Sequence, residues 1–284
     1  MALTVSVHLR HKSRTNARVI AIAKGLERAG CTLVERGRHA PVARGAELVL
    51  QSGMYGTRAL RTAIDTGIPY MIAECPAYRH VNDITPDNWV SYGYGGLMGG
   101  AFHAPAPKEP RWAPDLKPLK TDGPTIIFGQ KLNDHSLRGQ DHNQWLQEKL
   151  IEFPDAEFRA HPLMTSLHAT QEPLTDVLRR CYRAITFSST AGTEALIEGC
   201  VSEPEHWGSS AYKVKDRRKW IHELSWQNFP FDVAATKQVG EHILSGYEVA
   251  RVRAQEGQQE VPRNKATLDS WQYNIDDPRV LEVR

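Results

Sequence analysis

Apolar and polar positions alternate along the first third of the chain in two rhythms. "TVSVHL" (4–9), "CTLVER" (31–36), "ELVLQS" (47–52) and "PYMIAE" (69–74) are short apolar runs of strand length. "NARVIAIAKGLERAG" (16–30) and "TRALRTAIDTG" (57–67) instead space their apolar residues three and four apart and stop at glycine, which predicts helices. Strand and helix in turn predict a parallel sheet with helices on both faces. Residues 104–123 interrupt the rhythm with several prolines and no period, and read as an extended linker. The alternation then resumes: strand at 124–130, helix at 141–153, strand at 156–162, helix at 174–182, strand at 183–189 and helix at 193–200. A helix follows at 216–226, then a longer helical pattern from about 232 to 254, and the last thirty residues are polar.

Two such blocks either side of a linker predict an α/β protein of two Rossmann-like domains with parallel sheets facing a central cleft. The N-terminal domain would span 1–103, the linker 104–123, the second domain 124–255 and a polar tail 256–284. A length of 284 residues accommodates both. With 40% hydrophobic and 24% charged residues the composition is that of an ordinary water-soluble protein, and a formal charge of +2 gives no global attraction to nucleic acid. No apolar run reaches the length of a membrane span, and the N-terminus has no apolar signal-peptide core. Cys31, Cys75, Cys181 and Cys200 are far apart and form no CxxC, so they read as reduced thiols of a cytoplasmic protein.

Candidate chemistry concentrates where strands end. In "FSSTAGTEALIEGC" (187–200), Ser188, Ser189 and Thr190 place hydroxyls and backbone N–H groups at the start of a helix, where the dipole favours an anion such as phosphate. Gly192 would let the backbone come close, and Glu194 would accept hydrogen bonds from ribose hydroxyls. Helix capping alone accounts for the hydroxyls equally well. In "FRAHP" (158–162) the proline holds His161 extended at a strand end, where it could donate to a phosphate oxygen or assist a leaving group. A histidine and a hydroxyl-rich turn on adjacent strand ends are harder to ascribe to capping.

"HP" followed by "SSTAGTEAL" resembles the donor half of GT-B glycosyltransferases, in particular bacterial sialyltransferases and capsule Kdo transferases. Similar patterns occur in polysaccharide-biosynthesis proteins and UDP-N-acetylglucosamine 2-epimerases. Over residues 124–212 the resemblance implies a nucleotide-sugar donor whose phosphates meet His161 and Ser188 to Thr190, whose ribose meets Glu194, and whose site is lined by Gln130 of "FGQ". It implies no cofactor beyond that donor. Those families continue after the matching helix with a short Pro-Val strand, whereas this chain reads "CVSEPEHW" (200–207).

The N-terminal half carries less. "AECPAYRHVNDITPDNWVSYGYGGLMGGAF" (73–102) is loosely similar to a segment of phage-encoded glycosyltransferase-like proteins. Glu74, at a strand end, is the candidate base for the acceptor hydroxyl, or a strand-end cap. His8 and Arg10, with Tyr55 of "SGMYGTR" (52–58), form the candidate acceptor side, although Arg10, Lys12 and Arg14 equally suit a solvated surface. "YGYGGLMGG" (92–100) has the composition of a lid. The acceptor is a hydroxymethylated base in DNA if the phage likeness is followed, with "KVKDRRKW" (213–220) touching phosphates, or a surface glycan otherwise. No HExxH, Asp-x-Asp, P-loop or G-x-S-x-G pattern is present, so no metal site is expected. A nucleotide-sugar epimerase or hydrolase, and a non-catalytic protein that kept the fold, stand as alternatives. Donor identity, stereochemistry and oligomeric state are not legible.

Overall fold

The computed structural model describes residues 2–11, 13–54, 56–78, 86–96, 105–109, 111–132, 135–137, 140–162 and 172–260. They form two compact units, the first from Met1–Arg79, Asp83–Ala113 and Arg218–Pro262, the second centred on Pro114–Arg217.

The first unit is built on β1 (Thr4–Leu9), α1 (Asn16–Arg28), β2 (Thr32–Gly37), β3 (Leu48–Ser52), α2 (Arg58–Thr66), β4 (Tyr70–Glu74) and β5 (Trp89–Tyr94). Its sheet runs β10-β5-β4-β3-β1-β2, where β10 is Asn228–Pro230. β1 to β4 pair in parallel, as the alternation predicts, whereas β5 and β10 add antiparallel pairs at the far edge. The sheet is therefore mixed. The apolar runs are nearly continuous because both faces are covered. In β3, Leu48 and Leu50 join the cluster under α1 while Val49 joins the one under α2, and in β4 Met71 and Ala73 part from Tyr70 and Ile72 in the same way. Residues 92–94, the start of the segment 92–100 read as a lid, instead end the strand β5, because Val90, Tyr92 and Tyr94 belong to the α1-side core; residues 97–100 lie outside the described residues.

The second unit comprises β6 (Thr125–Phe128), α3 (His142–Glu152), β7 (Glu157–Arg159), α4 (Leu174–Arg180), β8 (Arg183–Thr186), α5 (Thr190–Ile197) and β9 (Val201–Pro204). All pairs are parallel, in the order β7-β6-β8-β9. Ile127 and Ile185 face α3, and Ile126, Phe128 and Ala184 face α4 and α5. The unit is thus doubly wound, with a crossover on each face and a switch point between β6 and β8. "CVSEP" supplies the short strand β9 despite lacking Pro-Val.

Residues 218–262 fold with the first unit, where the sequence reading placed them in the second. The pattern from 232 to 254 is also three helices, α7 (Phe231–Ala234), α8 (Lys237–Ser245) and α9 (Tyr247–Gln255), after α6 (Arg217–Ser225). The breaks come from Thr236, whose hydroxyl accepts from the Val239 N–H, and from Gly246. Val239, Ile243, Tyr247 and Ala250 complete the core against α1. A side chain at Gly240 would collide with the Gly25 carbonyl oxygen, and one at Gly25 with the Ala234 carbonyl oxygen, so glycines set how closely these helices meet. No long helix among the described residues is apolar enough to cross a membrane.

Candidate functional site

In a parallel sheet every strand delivers its carboxyl end to the same edge. In the second unit that edge carries Gln130 after β6, His161 after β7 and the Ser188–Thr190 turn after β8. His161 and the serine turn do not follow adjacent strands, as the chain order suggests, because β6 lies between them and brings Gln130 to the middle.

The buried Gln130 holds this edge together. Its Nε2 donates to Ser136 Oγ at 2.6 Å and Ser188 Oγ at 3.0 Å, and its Oε1 accepts from the Ser188 N–H at 3.0 Å. Ser188 Oγ in turn donates to the Ser136 carbonyl at 2.7 Å. The amide is therefore an internal tie across the switch point rather than a lining group with open valences. Its backbone N–H donates to His142 Nε2 at 2.8 Å, and the His142 ring stacks on Trp145 with centroids 4.9 Å apart. Burial pushes the His142 pKa down to about 4, Asp141 opposes the shift, and the nearby His161 adds to it. An N–H aimed at Nε2 likewise requires that nitrogen to be unprotonated. His161, half-buried, thus stands within electrostatic reach of the network that ends on Ser188.

On the other side of the switch point α5 begins at Thr190, three residues earlier than its apolar pattern suggests. Ser189 is its N-cap, and Ser189 Oγ accepts from the Ala191 N–H at 3.2 Å. Ser188, Ser189 and Thr190 are each half-buried. At Gly192 a Cβ would stand 3.0 Å from Thr186 Oγ1 and 3.1 Å from Ser202 Oγ, while Ser202 Oγ donates to the Gly192 carbonyl at 2.8 Å. This glycine lets α5 lie close on β8 and β9, a packing role in place of the expected approach to a ligand. Glu194 is 1% exposed, inside the unit.

In the first unit, Glu74 ends β4, half-buried, with Oε1 accepting from the Cys75 N–H at 3.0 Å. His8 is buried between neighbours: Nε2 lies 2.9 Å from Ser6 Oγ, which also accepts from the Ala43 N–H, and Nδ1 lies 3.4 Å from the Gly37 carbonyl. Desolvation lowers its pKa, so a neutral ring donates from Nδ1 to Gly37 and accepts from Ser6. His8 thereby ties β1 to the end of β2. Arg10 is half-buried on the loop after β1, whose Asn16 side chain accepts from the Arg10 N–H at 2.9 Å and donates to its carbonyl at 2.6 Å. Tyr55 and Lys12 lie outside the described residues. Within "KVKDRRKW", Arg217 donates to the Lys117 and Leu196 carbonyls and Lys219 lies 3.8 Å from Glu223. Among the described residues no group of three or more His, Cys, Asp or Glu is placed to hold a metal.

Two residues of the network escaped the sequence reading. Ser136 sits in a segment without period, and His142 is noticeable only as the first residue of a helix behind an Asp cap, a commonplace pattern.

These features define an α/β protein with a polar carboxyl edge at a doubly wound switch point. No protein-family model matches the chain, and no curated protein matches it. Among solved structures it is similar to KpsC beta Kdo 2,4 transferase of Thermosulfurimonas dismutans, at 15% identity over 86% of this chain and 98% of that one, with a TM-score of 0.48. It is also similar to KpsC beta Kdo 2,7 transferase of the same organism, at 13% identity over 84% and 99%, with a TM-score of 0.46.

Proposed function

We propose that the protein is a glycosyltransferase of GT-B-like organisation that moves a sugar from a nucleotide-sugar, held by the second unit, to an acceptor hydroxyl bound by the first. The observation that carries this reading is the carboxyl edge at β6, β7 and β8. A histidine, a capped helix start and two half-buried serines are set there on a rigid hydrogen-bonded floor. That is what a leaving nucleotide phosphate requires. As the bond from the sugar's anomeric carbon to the phosphate oxygen breaks, negative charge collects on the phosphate. The α5 N-terminus and the Ser188–Thr190 hydroxyls stabilise it, and His161 donates a hydrogen bond or its proton. Glu74 takes the proton of the attacking hydroxyl; Glu194, expected to serve the ribose, is buried inside the unit and is given no part in the donor site. The resemblance of "HP" and "SSTAGTEAL" to donor motifs supports the same assignment.

The test is a thermal-shift panel of UDP-, GDP-, ADP- and CMP-linked sugars on the wild type, His161→Ala and Ser189→Asp. A ligand at a hundred times its Kd adds about 2.7 kcal/mol to stability. Aspartate caps helices as well as serine does, so Ser189→Asp keeps the fold while setting a carboxylate where the phosphate should lie. One nucleotide class should shift the wild type and neither variant. Equal shifts in all three proteins, or no shift with any nucleotide, would refute the donor site.

A further inference from the structure

Three aromatic rings, of Tyr78, Trp89 and Trp112, gather at the carboxyl edge of β4 in the first unit, and the donor site does not explain them. Trp89 opens β5, which runs antiparallel to β4, so it stands at the edge where β4 ends. Glu74 pairs with Ser91, and side chains two apart in a strand share a face. Glu74, Ser91 and Trp89 therefore lie on one face, with Trp89 about 7 Å along the strand from the level of Glu74. Tyr78 follows on the turn after β4. That turn is held by Ser91 Oγ donating to the Cys75 carbonyl at 2.7 Å and by the Ala77 N–H donating to Asn228 Oδ1 at 2.7 Å.

Trp112 comes from the Pro-rich segment, which is fixed along α6 and β10. His222 Nε2 donates to the Pro107 carbonyl at 2.7 Å and Trp226 Nε1 to the Glu109 carbonyl at 3.1 Å. The Arg111 guanidinium lies over Trp226 and Phe229, 4.9 and 5.2 Å from the ring centroids. The indole of the next residue is thereby seated, its centroid 5.2 Å from that of Trp89 and 6.0 Å from that of Tyr78. The three rings differ in exposure: Tyr78 is buried, Trp89 half-buried and Trp112 48% exposed. An indole anchored in this way and still open to water offers a ligand a rigid contact area at little cost in conformational entropy.

A second observation is polar. Tyr78 Oη is buried and has no hydrogen-bond partner among the described residues. Tyrosine hydroxyls usually find a partner when buried, and one left without is destabilising. Burial keeps this phenol protonated, well above its ordinary pKa, despite the opposing charge of Arg111, so the hydroxyl is a donor. An indole face beside a hydroxyl donor suits a molecule with C–H groups on one face and oxygens around its rim. A pyranose is such a molecule: its axial C–H hydrogens meet the negative face of the indole, and a rim oxygen accepts from Tyr78. A purely apolar partner would use the indole and leave Tyr78 Oη unsatisfied. We infer that Trp112, seated on Trp89 and Tyr78, is the platform for a pyranose ring, with Tyr78 donating to one of the sugar's oxygens. Because Tyr78 Oη is covered in the unliganded chain, the exposed indole tilts to admit that oxygen. That the ring belongs to the acceptor, beside Glu74, rests on the transferase reading; the binding itself does not.

The experiment applies the full chain to an array of pyranose oligosaccharides of varied linkage and titrates the strongest hit by calorimetry, with short single-stranded DNA as a base-bearing control. Wild type, Trp112→Ala, Trp112→Phe and Tyr78→Phe are compared, each with its thermal midpoint. Trp112→Ala should weaken binding about tenfold or more, while Trp112→Phe, which keeps a ring face, should retain most of it. Tyr78→Phe should weaken binding about fivefold and leave the midpoint unchanged or raised, because it removes an unsatisfied buried hydroxyl. No oligosaccharide bound by the wild type, or wild-type affinity in Trp112→Ala, overturns the platform. Equal losses in Trp112→Ala and Trp112→Phe that track lowered midpoints overturn it as well, since the indole is then only structural. Wild-type affinity or a lowered midpoint in Tyr78→Phe overturns the hydrogen bond. DNA that binds more tightly than any oligosaccharide and needs Trp112 overturns the sugar assignment. Failure of the nucleotide panel would leave oligosaccharide binding standing, so the two readings fail separately.

Discussion

Replacing Gln130 by alanine should loosen the whole carboxyl edge of the second unit. The side chain is buried and makes three hydrogen bonds, to Ser136 Oγ, Ser188 Oγ and the Ser188 N–H. A net contribution of about 1 kcal/mol for each gives a loss of about 3 kcal/mol. The Ser188 N–H, left without its acceptor, is the group most affected. Gln130→Glu is the informative companion. Its carboxylate still accepts from the Ser188 N–H but cannot donate, so the hydroxyls must turn to face it. It should cost less than alanine. Urea unfolding of both variants measures the total, and amide exchange at Ser188 reports the local opening directly. If Gln130→Ala loses less than about 0.5 kcal/mol and Ser188 exchanges as in the wild type, the amide is not the tie that its geometry indicates, and the rigid floor on which the proposed donor site rests is refuted.

Acid should weaken the second unit through His142. Its pKa is about 4 in the folded chain against 6.5 for the free side chain, so between those values the unfolded state holds more protons. Stability is then complete above the unfolded value and falls as pH drops from about 6.5 to 4, by at most about 1.4 kcal/mol per pH unit. His142→Gln offers a carbonyl to the Gln130 N–H and should flatten that part of urea midpoints measured across the window, while the lowered pKa values of His8 and His242 keep their share. An unchanged acid profile would show that His142 does not titrate as its burial demands. Gly240→Ala forces a methyl against the Gly25 carbonyl and should cost about 2 kcal/mol or more by separating α1 from α8, read as a lower thermal midpoint of the full chain. A neutral result would mean that the α1–α8 crossing is looser than described.

How much of this was written locally in the sequence varies with the physics of each element. The parallel strands other than β9 were legible, the central ones because burial on two faces leaves a continuous apolar run, and the helices between them because a 3.6-residue period survives local averaging. β5, β10 and the unit assignment of residues 218–262 were not. A strand such as "NFP" takes its identity from the edge it meets, and the α8 pattern says that one face is apolar without saying which core it covers. The site divides along the same line. Ser189 as an N-cap follows from neighbouring residues and is visible in a single segment. The Gln130–Ser136–Ser188 tie joins residues 58 apart and needs the strand order β7-β6-β8 before it exists.

That strand order has a further consequence. In both units the second strand lies outside the first, and the third lies on its other side, so each sheet has one crevice where the chain departs to opposite faces. Neither crevice is left unfilled. Between β6 and β8 it holds the Gln130 amide, and between β1 and β3 it holds hydroxyls, with Ser52 donating to Thr15 at 3.2 Å and Ser13 2.8 Å from the same oxygen. Such ties are neutral, so they add rigidity without attracting an anion. Attraction has to come from groups carried above the floor. In the second unit those are the N-terminus of α5 and His161, on which the proposed donor site rests. The same winding therefore supplies a neutral, rigid floor in each unit, and what either floor serves is set by the residues carried above it.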